Sequence, residues 1–241
     1  MPVAEQYSQF SHASYKRSMV WLYDLMPDAF WVSRPNNVLR ANNKLLQMQV
    51  AHKHGMLIPK TLLSSKASEV MLFREDLGDI VAKPLYPEFV NDGGVIKVMY
   101  TTLITQDMEL DLSGLHVSPA LFQQLIKGTD IRVTVMGRQI FATEICKTAA
   151  LAGEIDWRVA ITNQSGLLYS PTTLPVSLES ACFSVVRELD LVFGVFDFIR
   201  TSAGEYWFLE INPNGQWGFI ELETGQPLSQ AMASLFLSGN A

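Results

Sequence analysis

The chain has 241 residues, 48% of them hydrophobic, and a formal net charge of −6, enough apolar material to bury one large core or two modest ones. No apolar stretch approaches the roughly 20 residues of a membrane span, and the N-terminus lacks a basic-then-apolar signal. A soluble cytoplasmic protein is expected, with no membrane partner and, in an acidic chain without Lys/Arg runs, no nucleic acid.

Residues 1–35 show no clean period beyond one short helical segment at Met19 to Met26, and they read as the end of a preceding region. Asn42-Asn43 caps a helix that runs to about His54, where Gly55 ends it and Pro59 bars its continuation. Leu57 to Leu63 reads as extended, Ala67 to Arg74 as a short helix, and Asp79 to Lys83 as a buried strand stopped by Pro84. Gly93-Gly94 is a mobile turn ahead of a β-rich stretch from Ile96 to Ile104. Ile131 to Val135 and Ile140 to Ile145 flank Gly137-Arg138 as a hairpin in which Arg132, Thr134 and Met136 share a face. Asp156-Trp157-Arg158 opens another short strand, and a helix from about Ser177 to Leu191 leads into a second hairpin. Pro227 to Leu237 closes the chain as a helix. Helices alternating with antiparallel hairpins predict an α+β fold with a site between layers, not a doubly wound parallel sheet. Neither GxxxxGK[ST] nor GxGxxG occurs, so a P-loop or Rossmann site is not supported.

The second hairpin, Val195 to Thr201 and Tyr206 to Ile211 around Ala203-Gly204, carries the chemistry. A symmetric turn sets Asp197 opposite Glu210, with Cβ atoms about 5 Å apart. Asn212 follows on the same face, which Phe208 shares, while Trp207, Leu209 and Ile211 fill the other. Facing carboxylates repel, and a divalent cation would relieve them: Mg²⁺ takes one or two carboxylates, an amide oxygen and substrate phosphates. The scattered histidines and the two cysteines, Cys146 and Cys182, have no zinc-binding or disulfide spacing.

The cations match this picture. Lys83 ends an apolar strand and must find an anion or reach water. Arg132 and Arg158 sit beside apolar or aromatic core positions, where their forks suit phosphate oxygens or a neighbouring acid such as Asp130 or Asp156. Lys44, near a helix start, is surplus positive charge unless an anion neutralises it. Trp217, Phe219 and Glu221 form an exposed cluster where a peptide could dock or a helix could pack.

The ordered series WVSRPNN, NNKLLQMQVAHKHGMLIPKTLLSS, VAKPL, FQQLIKGTDIRVTVMGRQIFATEI, DWR, GVFDFI and FLEINPNGQWGFIE resembles the ATP-grasp ligases. It is closest to the maturases of graspetides, the microviridin-type crosslinked peptides. The resemblance implies an ATP-grasp fold, two α+β subdomains gripping ATP. Residues 36–125 would be the central subdomain with a flexible Gly loop, and 126–241 the C-terminal subdomain with the magnesium hairpin. Residues 1–35 would be the remnant of an N-terminal domain otherwise largely absent. It further implies ATP and Mg²⁺ as cofactors, with Lys44 and Lys83 at the phosphates, Gln123, Gln124, Leu125 and Ile126 as the adenine hinge, and Asp130 at the ribose. Arg132 and Arg158 would be catalytic at the phosphates or the acyl phosphate, and Asp197, Glu210 and Asn212 would hold the metal. Gln124 departs from the acid common at that position. The implied reaction activates a peptide side-chain carboxylate and couples it to a hydroxyl or amine of a precursor peptide, in an enzyme that resembles homodimers. The DIR and E-x-N segments are also similar to ribosomal-protein glutamate ligases, so an amino-acid-adding ligase or a non-catalytic nucleotide-binding remnant are the alternatives.

Overall fold

A computed structural model describes residues 7–85, 89–92, 95–98, 101–148, 151, 157 and 166–239. Two antiparallel sheets organise them, in keeping with the α+β expectation. In the smaller, β1 (Thr61–Ser64), β2 (Ile80–Lys83), β5 (Thr102–Ile104) and β6 (Ala120–Gln124) lie in the order β1-β6-β2-β5. Helix α4 (Ala67–Leu77) packs on it and closes a core of Val70, Ile80, Ile104, Leu115 and Phe122. A separate ribbon pairs β3 (Phe89–Asp92) with β4 (Val95–Val98), while the Gly93-Gly94 turn itself lies outside the described residues.

The larger sheet holds β7 (Thr129–Met136), β8 (Gln139–Lys147), β9 (Leu167–Thr172), β10 (Phe193–Arg200) and β11 (Tyr206–Asn212) in the order β11-β10-β7-β8-β9. Since β6 ends at Gln124 and β7 begins at Thr129, Leu125, Ile126, Lys127 and Gly128 link the two sheets. One face of the larger sheet presents Ile131, Val133, Val135, Phe196, Phe198, Phe208 and Ile211 to α3 (Lys44–Lys53) and α5 (Val176–Glu188). The other presents Met136, Phe193 and Val195 to α6 (Gly218–Thr224) and α7 (Leu228–Ser238).

Three expectations change. The N-terminal segment is a 17-residue helix, α1 (Ser8–Asp24), rather than a short one at Met19 to Met26. Its large side chains Phe10, Tyr15 and Trp21 are exposed, so no inward apolar period marks it in the sequence. A second short helix, α2 (Pro35–Ala41), opens on Pro35, whose fixed φ suits a first turn. Trp157, the one described residue of the Asp156-Trp157-Arg158 stretch, is helical rather than extended.

The third correction lies in the hairpin. Asp197 pairs with Glu210 as expected, but the register shifts at the next step, so Phe198 faces Phe208 and Leu209 is the extra residue of a β-bulge. The bulge moves Phe208 off the acid face. It is fully buried and meets Phe196 and Phe198 edge to face at centroid distances of 6.3 and 5.9 Å. Burial of a phenyl ring among two others outweighs strict alternation.

Candidate functional site

The register of the larger sheet aligns one cross-strand row: Glu210 beside Asp197, Asp197 beside Arg132, and Arg132 beside Thr143. Thr134 and Met136 share the face of Arg132, as the alternation of β7 requires. Asn212 follows Glu210, opposite Val195, and its Oδ1 accepts from the Asn214 N–H at 2.9 Å, which turns the chain after β11.

The two acids are neutralised from opposite sides. Arg132 Nη1 donates to both oxygens of Asp197, at 2.8 and 3.2 Å, and Nη2 donates to the Gln216 carbonyl at 2.9 Å. Lys44 Nζ reaches Glu210 Oε2 at 2.5 Å. The surplus charge at the start of α3 is thus answered by Glu210, and Arg132 pairs with Asp197 rather than its sequence neighbour Asp130. Asn43 caps α3 by accepting from the N–H groups of Leu45 and Leu46.

Gln47 sets the reach of Lys44. Its amide donates to the Ile211 carbonyl at 2.8 Å and accepts from the Ile211 N–H at 3.1 Å, in the place of a further strand beside the edge strand β11. The nearby extended segment does likewise, with the Leu57 carbonyl accepting from the Phe208 N–H at 2.9 Å.

The remaining candidates fall on the smaller sheet and the link. Lys83 Nζ donates to Gln123 Oε1 at 2.6 Å, and the buried Gln123 amide also donates to Thr61. Gln124 Oε1 accepts from the Lys60 N–H at 3.3 Å, and Leu125 and Ile126 lie half-buried in the link between the sheets. Asp130 pairs with Lys147 Nζ at 2.9 Å. Arg158 and Asp156 lie outside the described residues. Trp217 and Phe219 are partly buried against the core of α6 and α7 rather than forming an exposed patch.

The geometry therefore brings Lys44, Arg132, Asp197, Glu210 and Asn212 together, with Asp130 on the same sheet, and sets Lys83 and Gln123 on the other. Sequence reasoning missed Gln47 and Lys147. A glutamine beside Leu46 on an apolar stripe was the available signal for the first, and a lysine ending a strand of alternating residues for the second.

Two carboxylates in one row with an amide oxygen beside them suit magnesium's preference for hard oxygens, although no group of three or more His, Cys, Asp or Glu gathers among the described residues. Arg132 Nε is buried with no hydrogen-bond partner. The donor set fits a magnesium nucleotide.

No protein-family model and no curated protein matches the sequence, whereas solved structures do. The RiPP-associated ATP-grasp ligase of Chryseobacterium gregarium, in complex with ADP and a leader and core peptide, superposes with a TM-score of 0.88 at 25% identity, covering 99% of this chain and 72% of that one. The macrocyclase MdnC of Microcystis aeruginosa, bound with its precursor peptide MdnA, gives 0.79 at 30% identity over 96% of this chain and 72% of its own. The macrocyclase MdnB of the same organism gives 0.78 at 27%, over 98% and 72%. The chain belongs to the ATP-grasp ligases, in the RiPP-associated group of graspetide-type maturases.

Proposed function

We propose that this ligase activates a side-chain carboxylate of a ribosomal precursor peptide and joins it to a hydroxyl or amine, closing an ester or amide crosslink. The observation that carries the reading is the row Glu210, Asp197, Arg132, completed by Lys44, in a chain of this family. In this reading Asp197, Glu210 and Asn212 hold magnesium. Lys44, Lys83, Arg132 and Arg158 face phosphates, the segment Gln123 to Ile126, which runs from the end of β6 into the link, takes adenine, and Asp130 takes ribose. Bound MgATP supplies the phosphoryl group that makes the carboxylate an acyl phosphate, so that phosphate rather than hydroxide leaves.

The chain's own residues then have limited tasks. Arg132 and Lys44 offset negative charge on the face where it accumulates, and the two subdomains, 36–125 and 126–241, orient acid and acceptor from either side of the link. Neither cysteine is suited to act as a covalent nucleophile. Burial raises the thiol pKa of Cys146, and raises that of Cys182 far more strongly. Direct attack by the peptide's own hydroxyl or amine needs no such group. The reading places the chain in the cytoplasm, where ATP and nascent peptides meet. No helix among the described residues is long and apolar enough to cross a membrane.

Calorimetry of magnesium-dependent ATP binding tests the site. The wild type binds and the Glu210→Ala/Asn212→Ala double variant does not; a folded wild type that binds no nucleotide would sink the proposal. With a precursor peptide encoded beside the gene, mass spectrometry then shows loss of one water per crosslink. A gain of one residue mass would indicate an amino-acid-adding ligase instead.

A further inference from the structure

Both ends of the Gln123 amide are engaged inside the protein. Only 1% exposed, the residue accepts from Lys83 Nζ at 2.6 Å through Oε1 and donates to Thr61 Oγ1 at 3.0 Å through Nε2. The Thr61 hydroxyl donates in turn to the Pro59 carbonyl at 2.8 Å. A hydroxyl has one hydrogen to give, so with that hydrogen committed its oxygen can only accept from Gln123. The sense of the whole chain follows: the NH₂ of Gln123 points to Thr61 and its oxygen to Lys83.

The register of the smaller sheet makes this relay. Its strands run in the order β1-β6-β2, with Thr61 opposite Gln123 and Lys83 opposite Leu121, two residues away on the same face of β6. Such diagonal neighbours are within reach of a long side chain, and the lysine stem spans the gap. Met48 of α3 closes the remaining side, its Sδ 3.4 Å from Thr61 Oγ1 and 3.7 Å from Gln123 Nε2. Met48 lies one helical turn beyond Lys44 on α3. The helix that brings Lys44 to Glu210 therefore also covers the amide that holds Lys83.

We infer that Gln123 is a positioning residue for Lys83: its amide oxygen holds the ammonium group in place for the nucleotide phosphates, and the amide does not read the adenine ring. The inference rests on the ATP-dependent reading above, and it divides the segment Gln123 to Ile126 by task. The side chain of Gln123 serves the phosphates through Lys83, and the residues after it serve the base. Buried to this degree, the amide has almost no surface to present to a base. A lysine stem has four rotatable bonds, so an ammonium without a fixed acceptor samples many positions. Removing the oxygen of Gln123 frees that motion and leaves the base contacts as they were.

Calorimetry with MgATP and with MgITP, in which only the base differs, separates the two tasks and needs no peptide. Gln123→Leu removes the acceptor at similar volume and weakens both nucleotides by about tenfold, with their ratio unchanged within about twofold. Lys83→Met weakens both to a similar degree. The Gln123→Leu/Lys83→Met double variant loses no more than Lys83→Met alone, because the glutamine acts through the lysine. A merely structural glutamine would add its own loss. Thr61→Val removes the hydroxyl that orients the amide and gives a smaller loss of the same kind, about threefold, which also disappears in the Lys83→Met background. It carries the test if circular dichroism shows that Gln123→Leu does not fold. A shifted ratio of MgATP to MgITP, wild-type binding in Lys83→Met or in the Gln123 and Thr61 variants, or additive losses in the double variants would overturn the inference. A folded wild type that binds neither nucleotide would overturn the ATP-dependent reading instead.

Discussion

Gln47 uses both halves of its amide on the backbone of Ile211, at the edge of the sheet that carries Glu210. Only 3% of the residue is exposed, so water cannot easily replace it. A Gln47→Leu substitution keeps the volume but strips partners from one buried N–H and one buried C=O, each worth about 1–3 kcal/mol. The expected result is a lower midpoint in urea with an unchanged m-value, together with weaker nucleotide binding as α3 and Lys44 lose their register. An unchanged midpoint would show that the edge of β11 finds other partners. Nothing in residue type alone distinguishes this glutamine from a surface one; its role depends on a contact with a strand 164 positions away.

At the scale of elements, the bulge at Leu209 reconciles two demands on one strand. Phe208 and Ile211 both belong to the core, yet they are three residues apart, and Glu210 must face the other way beside Asp197. Plain alternation of the same sequence would put either a phenyl ring into the acid row or a carboxylate into the phenylalanine cluster, whereas deleting Leu209 removes the extra residue and keeps Phe208 opposite Phe198 and Glu210 opposite Asp197. The deletion variant is therefore expected to keep cooperative thermal unfolding; loss of a sharp melt would contradict this account. Elsewhere, Lys53 and His54 at the end of α3 both bond Glu188 at the end of α5. The hydrogen bond from Lys53 is the main cause that lowers the Glu188 pKa, with a further contribution from His54. A lowered folded pKa means stability that is present above the unfolded value and lost as pH falls through the folded one. Glu188→Gln therefore flattens the acid limb of the melting temperature below the ordinary carboxylate range, by a small amount because the group is well solvated. Identical acid limbs in the two proteins would remove Glu188 from the account.

At the scale of the molecule, a four-residue link, Leu125 to Gly128, joins two antiparallel sheets, and the candidate cations are divided between them. A ligand that engages both sheets stabilises the folded chain by mass action, by about 2.7 kcal/mol at a hundredfold excess over Kd. Thermal melts should rise with MgATP and not with ATP plus a chelator. A rise of equal size without magnesium would show that the carboxylate row takes no part in holding the nucleotide.

Local chemistry in the sequence determined the hairpin, the facing of Asp197 and Glu210, the capped helix after Asn43, the alternation of β7 and the order of motifs that identifies the ligase class. Each of these depends on residues close in sequence, where propensity, spacing and turn type act directly. Tertiary structure alone decided which cation answers which acid, the bulge that moves Phe208 into the core, the amide of Gln47 on β11, and the relay from Thr61 through Gln123 to Lys83. Those contacts join segments far apart in the chain. They are selected by the burial of whole surfaces, so the residues that make them carry no local mark of their partners.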